Sequence, residues 1–316
     1  MVVSIRGQPQ VRDVLILASS ADNIHVESGQ GEWGDVNLSV AWDHAGPEGH
    51  LGKSKLLRAR QKLGKYRIER CLADGPRCAV YQAYDSIHGC RVALKIPYPE
   101  MMDEFFLADF RREARLATRM DHPNVLPILN ASFIDELFVI AMPLGLESLG
   151  DRLARRISTE KALDYTAQML AALSHAHSQR IIHCDVKPDN FILFPDNRIR
   201  LTDFGFSKIA LRTIKASGSG TVGYLAPEQA LGHPMFQSDV FSLGLVIYRM
   251  FSGTLPEWPY AWPAAGHRRL VSKLRPPMIA WLRKAMELRP ESRFSNAVEM
   301  EQAFRRLRGR ARDPIA

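Results

Sequence analysis

The sequence predicts an α+β protein of two lobes, a small mainly-β N-lobe with one key helix and a larger mainly-α C-lobe. Three observations predict it. Between Tyr66 and Met142 the apolar residues fall in short strand-like runs, "KYRIERCLAD", "CAVYQAYD", "RVALKIP" and "LFVIAM". Inside that span one stretch, "DEFFLADFRREARLATR", has the period of an amphipathic helix. After "PLG" helical periods dominate, in "STEKALDYTAQMLAALSHAHSQ", "SDVFSLGLVIYRMF", "MIAWLRKAMEL" and "NAVEMEQAFRRLRG".

Taken in order, residues 1–64 form an extension rich in Gly, Asp, His and Ser, with one strand-like alternation at "VNLSVAW" and no motif. Its function is unassigned, its composition allows partial disorder, and partner binding is one role open to it. Residues 65–308 form the main domain, divided into an N-lobe at 65–142 and a C-lobe at 146–308, and residues 309–316 are a basic tail. The crevice between the lobes is the natural ligand site.

Composition narrows the classes. With 316 residues, 46% hydrophobic and 24% charged, the chain is an ordinary globular one. No apolar run approaches the roughly 18 residues of a membrane span, and "VLILA" at 14–18 lacks a signal-peptide pattern, so the expected location is the cytoplasm, with no membrane partner. The four cysteines, Cys71, Cys78, Cys90 and Cys184, have no CxxC spacing and read as reduced thiols. A net charge of +8 admits nucleic acid, but runs such as "KSKLLRARQK" and "RRLRGRAR" read more simply as a solvated basic surface.

The polar residues on this frame suit phosphoryl transfer, which asks for positioning and charge neutralisation and for little covalent chemistry. Lys95 ends the apolar strand "RVALK", where a buried stem projects an ammonium towards phosphate. Left unpaired in a cleft that charge is costly, and Glu113 on the following helix is a candidate partner. Asn190 precedes "FIL" and Asp203 follows "IRL"; both are hard oxygen ligands of the kind magnesium takes.

The motifs "VALK", a helix glutamate followed by "HPNVL", "HCDVKPDN", "DFG", "GTVGYLAPE", "SDVFSLG" and "RPESRF" occur in the order found in protein kinases. From Tyr66 to about Arg308 the chain resembles that family, closest in style to bacterial serine/threonine kinases of eukaryotic type. The resemblance implies a protein kinase-like fold that binds ATP with magnesium, or manganese, and a protein substrate with a Ser or Thr acceptor. It implies that Lys95 contacts the phosphates and pairs with Glu113, that Asp185 accepts or orients the acceptor proton, that Lys187 steadies the transferring phosphoryl group, and that Asn190 and Asp203 bind metal. Gly75, Val80, Ala93, Met142 and Gly145 are implied to surround the nucleotide, with Met142 as gatekeeper and Gly145 as a hinge donor; a one-residue shift instead puts Ala141 at the gate.

Two departures stand out. Cys184 stands where many of these kinases carry an arginine that grips a phosphorylated activation loop, a bidentate role a thiol does not fill. The implied consequence is an activity independent of that latch, although the loop offers Ser217, Ser219 and Thr221. Thr221 has a second reading as a hydroxyl bonded to Asp185 and Lys187. The glycine-rich loop "ADGPRCAVY" keeps only Gly75, with Ala73 and Cys78 at the flanking glycine positions; positive φ at both would cost about 1–2 kcal/mol each. That loss leaves open a pseudokinase acting as a nucleotide-binding or scaffolding module. A small-molecule phosphotransferase ranks lower, because "GTVGYLAPE" and "SDVFSLG" resemble a protein-substrate platform, and nucleic-acid binding ranks below both.

Overall fold

The computed structural model describes residues 15–17, 25–27, 33–34, 57–75, 78–102, 108, 111, 115, 118–204 and 222–310. "VNLSVAW", Glu113, Ser217, Ser219 and Thr221 lie outside the described residues.

The extension contains a small antiparallel sheet that its composition did not announce: β1 (Leu15–Leu17), β2 (His25–Glu27) and β3 (Trp33–Gly34), in that order. The N-lobe is a second antiparallel sheet in the order β4-β5-β6-β7-β9-β8, made of β4 (Lys62–Leu63), β5 (Tyr66–Asp74), β6 (Cys78–Asp85), β7 (Cys90–Pro97), β8 (Asn130–Ile134) and β9 (Leu137–Pro143). Alternation decides which side chains enter the lobe core, because successive strand residues point to opposite faces. On β7, Val92, Leu94 and Ile96 join the cluster of Tyr66, Ile68, Tyr81 and Val139, and so Ala93 and Lys95 are left on the other face. Packing of this lobe starts upstream of residue 65. Leu57 and Leu63 are buried in the same cluster, and the Leu57 amide donates to the Tyr81 hydroxyl at 3.3 Å. Helix α1 is described at 108, 111, 115 and 118, a 3-4-3 spacing that puts all four exposed positions on one helix face.

The C-lobe is helical: α2 (Leu149–Arg152), α3 (Thr159–Ser178), α4 (Pro227–Ala230), α5 (Phe236–Ser252), α6 (His267–Lys273), α7 (Pro276–Ala285) and α8 (Ala297–Arg310). Local chemistry sets the ends. Ser148 and Asp151 form a capping box on α2, and the Ser158 hydroxyl accepts the Lys161 amide at the start of α3. Helix α5 stops at Gly253, whose φ of 77° is the left-handed conformation that glycine adopts without strain. Along α5 residues on every side are buried, among them Val240, Phe241, Leu245, Tyr248 and Phe251, which marks it as the central helix of the lobe. A three-stranded sheet, β10 (Glu147–Ser148), β11 (Phe191–Leu193) and β12 (Ile199–Leu201), lies at the head of this lobe and carries the candidate site. Among the described residues no helix is long and apolar enough to cross a membrane.

Candidate active site

The site is assembled by strand register. Phe191 pairs with Leu201 across the β11–β12 hairpin, and the Thr202 amide donates to the Asn190 carbonyl at 2.9 Å. Asn190, just before β11, and Asp203, just after β12, are therefore brought side by side. From the N-lobe, Lys95 reaches down to close the arrangement: its Nζ lies 2.8 Å from Asp203 Oδ1, and Lys95 is itself only 3% exposed. Lys95 pairs in register with Val80 and follows Ala93 by two residues, so Val80, Ala93 and Lys95 share one face of the sheet. Met142 pairs with Ala93 and lies on that face too; Ala141 pairs with Leu94 and packs into the opposite cluster.

Asp185 sits in the middle of the "HCDVKPDN" stretch. Its Oδ2 accepts from Lys187 Nζ at 2.7 Å and from Asn190 Nδ2 at 3.0 Å, and its backbone carbonyl accepts the same Asn190 amide group at 2.7 Å. Both Asn190 amide donations come from Nδ2, which leaves Oδ1 as the atom turned to other ligands. His183 braces the loop from behind. Its Nδ1 accepts the Asp185 amide at 3.2 Å, so its Nε2–H is the group donating to the Thr202 carbonyl at 2.8 Å. The Phe204 ring meets the His183 ring edge-on at 4.8 Å.

Electrostatics follow from this packing. Burial pushes the Asp203 carboxyl upward, but the attraction and hydrogen bond of Lys95, helped by Lys187, outweigh it and hold the group below the usual carboxylate range. Asp203 is therefore ionised at neutral pH.

A buried carboxylate in α5 fixes the backbone beneath these groups. Asp239 Oδ2 accepts the His183 amide at 2.7 Å and His177 Nε2 at 2.9 Å, while Oδ1 accepts the Cys184 amide at 2.8 Å. The tautomer of His177 is set by its other nitrogen, since Nδ1 accepts the Ala297 amide at 2.9 Å. Cys184 is buried with φ of 65°, a left-handed conformation that costs an L-residue about 1–2 kcal/mol. Two bonds hold it there: the one to Asp239, and a bond from the Gln229 side-chain amide to the Cys184 carbonyl. The motif "APE" exposes Glu228 to sequence reading, but the role of Gln229, its neighbour, has no sequence signal. Further out, Glu228 and Arg293 form a bidentate pair in the C-lobe, with N···O distances of 2.7 and 3.0 Å.

One expectation changes. Ala73 and Cys78 are strand residues, and neither adopts positive φ, so the dihedral penalty attached to the lost glycines does not arise. Gly75 does not have positive φ either; its amide closes the hairpin onto the Cys78 carbonyl at 3.0 Å. Gly145, expected as a hinge donor, has a packing reason to be glycine. A Cβ there would lie 2.2 Å from Ile192 Cγ2 and 2.9 Å from the Leu193 carbonyl, where the connection between lobes crosses β11.

The donor set fits magnesium: one ionised carboxylate and one amide oxygen are the sparse, hard-oxygen protein contribution typical of a metal that also takes phosphate and water.

The sequence profile of the protein kinase domain matches residues 66–302. The chain belongs to the protein kinase family. It is 37% identical over 207 residues to the serine/threonine-protein kinase PknA of Mycobacterium tuberculosis, a match covering 61% of this chain and 48% of that protein. With the serine/threonine-protein kinase PrkC of Bacillus subtilis it shares 33% identity over 210 residues, covering 64% of this chain and 32% of the relative. The chain thus spans between a third and a half of the length of these curated relatives. The crystal structure of the PknI kinase domain of Mycobacterium tuberculosis superposes with a TM-score of 0.61 at 25% identity, covering 79% of this chain and 99% of that one.

Proposed function

We propose that this chain is an ATP-dependent serine/threonine protein kinase, with the kinase domain at 65–308 and residues 57–64 packed onto it as part of the same lobe. The observation that carries the reading is the convergence of Asp185, Lys187, Asn190, Asp203 and Lys95 from three separate sequence motifs onto one crevice. Asp185 Oδ2, held by Lys187 and Asn190, is the atom that orients the acceptor hydroxyl and takes its proton. Lys187, already beside that oxygen, neutralises charge on the group in transfer, and Lys95 holds the donor phosphates. Magnesium, with Asn190 and Asp203 as its protein ligands, supplies further neutralisation of phosphate charge when bound. Val80, Ala93 and Met142 offer the apolar walls for adenine, and Gly145 lets the floor residue Ile192 approach the connection.

Lys187 in "DVKPDN" resembles the serine/threonine form of the loop, which sets the acceptor class. The pseudokinase reading drew its support from the altered glycine loop, and that support weakens because Ala73 and Cys78 need no glycine dihedral. Cys184 in place of arginine makes this a kinase without the usual phosphate latch. The chain is placed in the cytoplasm as part of the same proposal. Incubation with Mg·ATP and generic protein acceptors, followed by phosphoamino-acid analysis, tests the reading: phosphoserine and phosphothreonine are expected. ATP binding with no phosphorylated protein favours the scaffold reading, and phosphate found only on small molecules favours the other phosphotransferase class.

A further inference from the structure

The hairpin between β5 and β6 carries a charge that the proposed chemistry does not use. Asp74 is the only acidic residue between Glu69 and Asp85, and it stands beside Gly75 in the stretch "ADGPRCAVY". In the kinase reading this hairpin covers the donor phosphates, so a carboxylate turned towards the nucleotide would repel the ligand. Strand register shows which way Asp74 is turned. Ala73 pairs with Val80 and Val80 with Lys95, which puts Ala73 on the face that carries Lys95. Asp74 pairs with Ala79 and Ala79 with Ile96, both members of the lobe core, so Asp74 stands on the opposite face.

Register alone holds this arrangement weakly. The pairing of β5 with β6 shifts between Cys71 and Ala73, just upstream of Asp74, and Gly75 next in the chain lacks the Cβ that restricts backbone rotation. A further slip by a single residue would carry Asp74 to the face of Lys95. A side-chain bond opposes that slip: the Tyr98 hydroxyl donates to Asp74 Oδ1. Tyr98 continues the alternation of Val92, Leu94 and Ile96, its backbone is still extended at φ −70° and ψ 136°, and its ring packs in the same cluster. The residue is only 5% exposed, so its O–H has a set direction. Burial, then the Asp74 carboxylate, pushes the Tyr98 hydroxyl well above the ordinary phenol range, which keeps it the donor. Among the described residues no other side chain is bonded to Asp74.

We propose that Tyr98 is a positioning residue for ATP: its bond to Asp74 pins the register of the β5–β6 hairpin and keeps the loop carboxylate on the face away from the donor phosphates. The inference rests on the kinase reading, which puts the phosphates under this hairpin. Binding of Mg·ATP and of adenosine to the full chain is measured by calorimetry for wild type, Tyr98→Phe, Asp74→Asn and the double variant. Tyr98→Phe removes one oxygen and keeps the ring in the core, while Asp74→Asn removes the charge and keeps an oxygen acceptor. Tyr98→Phe should bind ATP about fivefold to tenfold more weakly, with adenosine, which carries no phosphate, within about twofold of wild type. The ATP loss should shrink as salt rises from about 50 to about 300 mM, as a repulsion between charges does. Asp74→Asn alone should stay within about twofold of wild type, and adding it to Tyr98→Phe should restore ATP binding to that range.

Equal ATP binding by wild type and Tyr98→Phe overturns the proposal. A parallel loss of adenosine binding also overturns it, because it marks a general loosening of the lobe. So does a Tyr98→Phe defect that Asp74→Asn leaves unrepaired, which marks a tether acting without charge. Wild type that binds no ATP overturns the kinase reading and the positioning role with it, whereas ATP binding and phosphoryl transfer that Tyr98→Phe leaves unchanged overturn the positioning role alone.

Discussion

Replacing Arg293 with Met should cost much of the stability of the chain while leaving every proposed catalytic group in place. All five guanidinium N–H groups are used. Nε donates to the Glu287 carbonyl at 2.6 Å; Nη1 donates to Glu228 Oε1 at 2.7 Å and the Gln237 carbonyl at 2.9 Å; Nη2 donates to Glu228 Oε2 at 3.0 Å and the Leu288 carbonyl at 2.8 Å. The guanidinium also lies 4.6 Å from the centre of the Phe241 ring. Methionine keeps the apolar stem and deletes the fork, stranding a carboxylate whose side chain is 11% exposed. Breaking a buried pair this way costs about 3–5 kcal/mol, and the partial access of water to Glu228 favours the lower end. Against a total of about 5–15 kcal/mol, at about 2–4 °C per kcal/mol, the midpoint should fall by about 6–20 °C. The assay is thermal unfolding of wild type, Arg293→Met, Glu228→Gln and the double variant. The double variant should be at least about 1 kcal/mol more stable than the sum of the singles, because no charge is then stranded. A midpoint within about 3 °C of wild type for Arg293→Met would refute the argument. Phosphoryl transfer measured well below the lowered midpoint should survive, which separates a structural role from a catalytic one.

Further outcomes follow from the same geometry. Burial acts to raise the Asp85 carboxyl, yet hydrogen bonds from Lys65, His88 and the amides of Ile87 and His88 hold it far below the usual range. Because its folded pKa is depressed, its stabilisation is present above the unfolded carboxylate pKa and lost as pH falls; the stability gap to Asp85→Asn in urea should narrow by about 1 kcal/mol between pH 5 and pH 3. An unchanged gap would show that the charge of Asp85 is not what holds the β6–β7 turn. Gly145→Ala should force Ile192 or the connection to move, at a cost of about 1–3 kcal/mol with weaker ATP binding. By contrast Gly232→Ala, at φ 91° with open space around it, should cost only about 1–2 kcal/mol and leave ATP affinity unchanged, as calorimetry of both variants would report. Removing all phosphate with a phosphatase should change the transfer rate by less than about tenfold, since Cys184 offers no guanidinium to a phosphorylated loop; a larger loss would restore the latch.

Much of the site was legible because its parts are punctuated by local sequence. Asn190 and Asp203 flank the short apolar strands β11 and β12, Lys95 lies in the apolar strand β7 two residues before its end at Pro97, and the three strands deliver them to one place. What stayed hidden depends on partners distant in the chain. The bond from Gln229 to Cys184 spans 45 residues, and no pattern marks it. Leu57 belongs to the N-lobe core through Tyr81, 24 residues on, so the boundary drawn by motif content at residue 65 missed the packing upstream of it. The glycine loop misled in a different way. Family likeness turned two missing glycines into a dihedral penalty, but strand pairing through Ala73 and beside Cys78 keeps both in extended conformations open to any residue. At Gly145 the residue type was informative and its cause was not: the close approach of Ile192 requires a glycine whatever its amide binds.

Transfer of labelled γ-phosphate from Mg·ATP to protein, compared between wild type and Asp185→Ala purified side by side, bears most directly on the central claim. The variant must still bind ATP, so that a folding defect is set aside. The geometry of Asp185, Lys187 and Asn190 predicts transfer to Ser and Thr by wild type and a loss of at least about a hundredfold in the variant. Equal transfer by both proteins, or none from folded wild type with any acceptor or metal, would contradict it.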